Sequence, residues 1–168
     1  MRVDALTLAG WRNYGEQRLT FDESCNVIYG ENAQGKTNLL EAIVYLGCGK
    51  SPRAHGEREL IGFEAQEASL VGNIFSRQRE FVTDIRLYRG KRRKMTVNGV
   101  AAKSAAALSD VLHTVFFAPE DLFLIRAGAA ERRRFMDMSL CQLRPRYAEA
   151  LAQYGRLYEH KTRILRDS

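Results

Sequence analysis

The chain has 168 residues, of which 45% are hydrophobic and 27% charged, with a net charge of +6. That balance supports one domain, or one compact half of a larger one, and excludes wholesale disorder. No apolar run approaches the length of a membrane span, and the opening MRVDALTLAGWRNYGEQ lacks the charged-then-apolar plan of a signal peptide, so a cytoplasmic protein is expected.

The first thirty residues read as β-structure. Val3, Leu6 and Leu8 precede a tight-turn region at residues 10–15, and Leu19 and Phe21 alternate with polar neighbours as in a half-buried strand. Residues 25–29, without alternation, are expected to form a short strand buried on both faces. From Lys36 the period changes to that of a helix. Leu40, Ile43, Val44 and Gly47 share a face, with Leu39 and Leu46 beside it, and Gly47 and Gly49 close the helix. ERELIGF reads as a further helical turn. Residues 68–101 look like a meander of ASLVGNIF, EFVTDIRLY and KMTVNG, with Asn98-Gly99 signalling a type I′ hairpin. Ser104 is placed to cap a helix over AAALSDVLH, and HTVFFA reads as a strand. Pro119 suits the first turn of a helix over PEDLFLIRA that stops at Gly128. Residues 129–143 form another helix. From Pro145 a long helix carries Tyr147, Leu151, Tyr154, Tyr158, Lys161 and Leu165 at near-heptad spacing. Its polar end at residues 166–168 has no recognisable cap, as if the chain were cut in mid-helix.

Cys25, Cys48 and Cys141 are too scattered for a disulfide framework or a zinc site and are expected to be small buried hydrophobes. The three histidines show neither metal nor triad spacing. The positive charge is uneven: RLYRGKRRK, residues 86–94, holds six basic residues and no acid, and ERRRF with LRPRY adds a second basic region. Such clusters fit a polyanionic partner, although a solvated hairpin tip accounts for them equally well on charge alone.

The chemistry concentrates at residues 30–37, Gly-Glu-Asn-Ala-Gln-Gly-Lys-Thr, which match the P-loop pattern. Gly30 and Gly35 permit backbone conformations barred to residues with a Cβ, so successive N–H groups can point inward around a phosphate. The loop opens onto a helix N-terminus, where unpaired N–H groups and the macrodipole attract anions. Lys36 can reach the β and γ phosphates, and the Thr37 hydroxyl can ligate Mg²⁺. The candidate nucleotide-binding set is therefore Gly30, Glu31, Asn32, Ala33, Gln34, Gly35, Lys36 and Thr37, with Thr37 as metal ligand.

Around this loop the sequence resembles the RecF family, recombination-repair ATPases related to the SMC and ABC-type ATPases. The residues that carry the resemblance are GWRNYGEQRLTF, NVIYGENAQGKTNLLEAIVYLGCGKSPR, VFFAPEDLFLIRAGAAERRRFMD and QLRPRYAEALAQYGRLYEHK, in order along the whole chain. The resemblance implies an α/β fold: a P-loop NTPase head of ABC/SMC type, with a mixed sheet around the P-loop helix, an antiparallel meander and the start of a helical arm. It implies an N-terminal lobe over residues 1–143 and the first arm helix over 144–168. It also implies that Arg12 and Asn13, in the turn beside the P-loop, contact the nucleotide. FFAPEDL stands where relatives carry a glutamine that helps position Mg²⁺ and water. No glutamine stands there, leaving Glu120 or Asp121 as oxygen ligands or, as the residue types favour, as helix N-terminal acids.

The cofactors implied are ATP and Mg²⁺. The partners implied are DNA (a single strand or a single/double-strand junction), a second copy of the chain in an ATP-dependent homodimer, and other recombination proteins of the DNA-damage and SOS response. Arg89, Lys91, Arg92, Arg93 and Lys94 are the candidate DNA contacts, touching phosphate without reading bases. Neither an LSGGQ-like signature nor an apolar strand running into Asp-Glu occurs among the 168 residues. Little hydrolysis is therefore expected from this chain alone. The alternatives are a small P-loop kinase, with Arg132–Arg134 imitating a lid, or another SMC/ABC-type subunit. The meander and the heptad-like helix fit the kinase poorly.

Overall fold

The computed structural model describes residues 1–124, 126 and 128–166, with Glu120 described in its backbone alone. The chain divides into two compact units, Met1–Phe116 and Phe117–Ser168.

The first unit is built on a six-stranded antiparallel sheet in the order β2-β1-β3-β4-β5-β6. Its strands are β1 (Arg2–Trp11), β2 (Tyr14–Thr20), β3 (Glu67–Ser76), β4 (Arg79–Tyr88), β5 (Lys94–Val97) and β6 (Val100–Ala101). Alternation along β3 puts Ala68, Leu70, Gly72 and Ile74 on the buried face, and β4 contributes Thr83, Ile85 and Leu87. An irregularity between Val3 and Ala5 shifts the register of β1, so that Ala5 and Leu6 are both buried. The β5–β6 connection is the I′ turn expected from its sequence, with Asn98 and Gly99 at φ 49° and 77°.

Helix α1 (Lys36–Cys48) packs on this face. Leu46 sits over Gly72, where a Cβ would lie 2.7 Å from its Cδ1, and Tyr45 meets Trp11 with ring centroids 5.5 Å apart. The deepest positions of α1 are Leu39, Glu41, Ala42, Tyr45 and Leu46, whereas Leu40 is exposed. Val44 and Gly47 of the expected face are buried as well and Ile43 is half-buried, so the expected face is met except at Leu40. The buried side also takes in a charged residue, Glu41, which finds its partners inside. Gly49 ends the helix in the left-handed region, its N–H donating to the Tyr45 carbonyl at 2.8 Å.

Two predicted strands do not form. Residues 25–29 and 113–118 join no strand of the sheet, and Val27, Tyr29, Val115 and Phe117 are 79%, 89%, 99% and 70% exposed. A strand forms only where another strand lines up beside it, and among the described residues no strand pairs with either run. Cys25 is accordingly exposed, while Cys48 is buried and Cys141 intermediate. Helix α2 is shorter than its pattern, Ala106–Ser109, and Ala105 rather than Ser104 stands at its N-cap. ERELIGF contributes a 3-10 turn, Glu57–Leu60.

In the second unit, Pro119 opens a 3-10 turn, Pro119–Phe123, and Ile125 and Ala127 of the expected helix lie outside the described residues. Helices α3 (Ala129–Leu143) and α4 (Pro145–Arg166) follow, with no buried residue among those described. Tyr147 donates to Asp137 at 2.5 Å and links them. Along the near-heptad stripe Tyr147 and Leu151 are half-buried, whereas Tyr154, Tyr158 and Leu165 are exposed. No described helix is long and apolar enough to cross a membrane.

A candidate phosphate site at the start of α1

The P-loop residues lie in an irregular segment that turns directly into α1. Gly30, Ala33 and Gly35 have φ of 147°, 66° and 100°. Residues in the left-handed region, set among right-handed ones, turn successive N–H groups to one side and create an anion-binding concavity. Ala33 was not foreseeable as one of them, since its type carries no glycine signal. Gly35 is the N-cap of α1, with no capping side chain and no acid in the first turn. The first N–H groups of the helix are left for an anion, and no acidic side chain of the first turn opposes it.

Lys36 folds back over the loop, its Nζ donating to the Gly30 and Glu31 carbonyls at 2.7 and 2.6 Å. The ammonium is thereby held across the concavity, where a phosphate would compete with those carbonyls for it. Thr37 is exposed in the first turn of α1, within reach of an ion that a bound phosphate would share. Glu31, Asn32 and Gln34 are exposed along the loop. The donor set, an ammonium, a hydroxyl and backbone N–H groups, fits a Mg²⁺–nucleotide.

Arg12 is placed differently from a simple phosphate contact. All three guanidinium nitrogens donate to protein acceptors: Nε and Nη2 to the two carboxylate oxygens of Glu41, both at 2.9 Å, and Nη1 to the Glu59 carbonyl at 2.8 Å. Glu41 is fully buried and also accepts from the Ser51 hydroxyl, which in turn accepts the N–H groups of Arg53 and Ala54 at 2.9 and 2.7 Å. Asn13, next in the β1–β2 turn, donates to the Gln34 carbonyl at 3.2 Å and accepts from Asn38 Nδ2 at 2.8 Å. Sequence reasoning gave no signal for Glu41. An acid on the predicted polar side of a helix looks solvated until the strand that brings Arg12 to it is in place.

The basic loop also divides. Arg89 donates to the Ala65, Gly62 and Phe63 carbonyls at 2.8, 2.9 and 3.2 Å. Arg93 donates to Gly49 O at 2.6 Å, Tyr45 Oη at 2.9 Å and Glu57 Oε1 at 2.6 Å, closing the C-terminal end of α1. Burial pushes the Tyr45 phenol well above its usual range, and the Tyr45–Glu57 surroundings hold the Arg93 guanidinium up against the opposing effect of burial. Lys91, Arg92 and Lys94 stay exposed, Lys91 lying 5.9 Å from the Tyr88 ring. Asp121 Oδ2 accepts the Ala118 N–H at 2.7 Å, a capping contact, while the Glu120 side chain lies outside the described residues. No group of three or more His, Cys, Asp or Glu suited to a metal occurs among the described residues.

Fold and loop together define a P-loop head of the kind seen in RecF and SMC ATPases, and the chain belongs to the AAA domain family, whose model matches residues 5–134. Within that class its similarity is to RecF. It is 38% identical over 167 residues to the DNA replication and repair protein RecF of Lachnospira eligens, covering 99% of this chain and 46% of that protein. It is 39% identical over 167 residues to RecF of Shouchella clausii, covering 99% and 45%. The structure of the recombination mediator protein RecF-ATP in the RecFOR pathway superposes with a TM-score of 0.90 at 31% identity, over 98% of this chain and 44% of that one. An SMC ATPase structure shares the fold, with a TM-score of 0.65 at 23% identity over 81% of this chain. The chain thus spans less than half the length of the RecF proteins it matches.

Proposed function

We propose that the chain is the nucleotide-binding part of a cytoplasmic, RecF-like ATPase of DNA replication and repair. One observation carries this reading: a glycine-bounded loop with left-handed residues at 30, 33 and 35 leads into an uncapped helix N-terminus, with Lys36 held across it. ATP would lie with its phosphates in residues 30–37, beside Arg12 and Asn13. Mg²⁺, held through Thr37, would supply charge neutralisation between phosphates. The similarity to RecF proteins known in ATP-bound form supports the same ligand.

On this reading the whole protein is an ATP-dependent switch. Nucleotide joins two copies, the paired heads take up DNA and work with other recombination proteins, and hydrolysis releases the DNA. The exposed cations Lys91, Arg92 and Lys94 would meet DNA phosphates, while Arg89 and Arg93 hold their loop in shape. The signature motif and the Asp-Glu pair used by such ATPases are not among the 168 residues, so this chain alone would bind nucleotide with little turnover.

Titration of the chain with a fluorescent ATP analogue tests the central claim. Lys36→Ala should weaken binding by about 10-fold or more, the usual worth of a charge-assisted contact. An unchanged affinity would remove the nucleotide from this loop. In the full chain the same variant should lose ATP-dependent association with DNA.

A further inference from the structure

The β1–β2 turn touches the P-loop on the side of its carbonyls. Asn13 Nδ2 donates to Gln34 O at 3.2 Å, and Tyr14 Oη donates to Gly35 O at 3.2 Å. A trans peptide is planar, with its N–H pointing opposite to its C=O. Pinning the Gln34 carbonyl toward the turn therefore turns the Gly35 N–H away from it; the Gly35 carbonyl also accepts the Leu39 N–H at 2.9 Å, so Tyr14 and the first hydrogen bond of α1 together turn the Lys36 N–H the same way. These are consecutive donors at the mouth of α1, where a phosphate would sit.

Resting on the nucleotide reading above, we propose that Asn13 and Tyr14 are positioning residues for the nucleotide phosphates. They lock the two peptide planes of residues 34–36 so that their N–H groups are presented to the anion before it arrives. Preorganised donors cost no reorientation on binding, which is where the gain in affinity comes from.

The surroundings of both residues fit that role. Asn13 cannot turn its amide over, because its Oδ1 accepts from Asn38 Nδ2 at 2.8 Å. Asn38 is fixed in turn by Arg53, which donates to its Oδ1 at 3.1 Å, and by Trp11, whose indole N–H donates to its carbonyl at 3.0 Å. Donors thus run in one direction from Arg53 through Asn38 and Asn13 to the loop, and each polarises the next. Burial raises the Tyr14 hydroxyl's pKa, so it stays a neutral donor at physiological pH.

Gly35 is required here twice over. Its φ of 100° disfavours a side chain, and a Cβ would lie 2.6 Å from Asn13 Nδ2 and 2.7 Å from Oδ1. The turn itself is held in an unusual conformation, Arg12 at φ 52°, by the Arg12–Glu41 pair. Arg12 then acts on the nucleotide through Asn13 rather than by touching it.

The test uses Tyr14→Phe, Asn13→Ala and Lys36→Ala in the full chain, with ATP and inorganic tripolyphosphate as probes. Tyr14→Phe removes one hydroxyl and keeps the ring, so folding is preserved. Each of the first two variants should weaken both probes by the same factor, about 2- to 10-fold for one lost hydrogen bond. Amide NMR should show the Gly35 and Lys36 protons shifting on tripolyphosphate in the parent and shifting less in the variants. A merely structural role would lower the melting temperature and leave those shifts alone. Unchanged tripolyphosphate affinity in both variants overturns the proposal, and so does a loss confined to ATP, which would mean direct contact with the nucleoside. If Lys36→Ala keeps full tripolyphosphate affinity, the nucleotide reading fails first and the proposal falls with it.

Discussion

Glu41 is the residue on which most of the site's geometry converges. Its carboxylate has no exposure and takes two hydrogen bonds from Arg12 and one from Ser51, with Arg53 3.9 Å away. Removing one partner of a buried pair leaves the other charge uncompensated, so Glu41→Ala should cost about 3–5 kcal/mol in urea unfolding. Replacing both Arg12 and Glu41 by Met and Leu should recover much of that loss while leaving nucleotide affinity low, because the pair also shapes the turn. Tyr45 gives a pH signature. Its phenol keeps its proton to higher pH in the folded chain than in the unfolded one, chiefly through burial. Stability from this group is therefore intact below about pH 10 and falls as the pH rises above that value toward the folded pKa. Melting temperatures followed from pH 8 upward should show the fall, and Tyr45→Phe should flatten it.

At the level of elements, the same substitution has opposite signs in two helices. Gly47 lies within α1, where helix propensity alone would favour alanine by about 1 kcal/mol. A Cβ there would lie 2.7 Å from the Leu112 carbonyl and 2.9 Å from Thr114 Cγ2, and Ser109 donates to the Gly47 carbonyl at 3.0 Å. Backbone cannot move aside as a flexible side chain can, so Gly47→Ala should destabilise by about 1–3 kcal/mol. Gly155 in α4 has nothing within 4 Å of the same position, and Gly155→Ala should stabilise by about 0.5–1 kcal/mol. Thermal unfolding of the two variants decides both signs.

Across the whole molecule, positive charge has two separate uses. Arg89 and Arg93 donate to backbone carbonyls and to Glu57, and they staple the β4–β5 loop to the segment before β3 and to the end of α1. Lys91, Arg92 and Lys94 face solvent. Changing those three to glutamine should leave the melting temperature unchanged. It should lower the slope of log affinity for DNA against log salt by about 2–3, if each sits on a phosphate. Arg93→Gln should instead destabilise the fold, because it strips a carbonyl and a carboxylate of their donor. A salt slope unmoved by the triple change would place the DNA elsewhere.

What the sequence determined by itself was local. The loop at 30–37, the start of α1 at Lys36, the meander with its Asn98-Gly99 turn and the extents of α3 and α4 all follow from backbone preferences and short-range periodicity. Residues within a few positions of one another suffice to encode them. Tertiary structure alone decided the rest. It withheld strands from residues 25–29 and 113–118, because a strand's hydrogen bonds come from a neighbour and its own apolar residues cannot provide one. It drew Glu41 inward, since a buried carboxylate is tolerable only where a distant strand delivers an arginine. It also separated the anchoring arginines of the basic loop from the free cations, which look identical as a run of letters. The proposed phosphate cradle could be read as a motif because such a cradle needs particular residue types at fixed spacing. Its support from Asn13 and Tyr14 could not, because peptide planes are pinned by contacts across 21 positions of chain that no local pattern records.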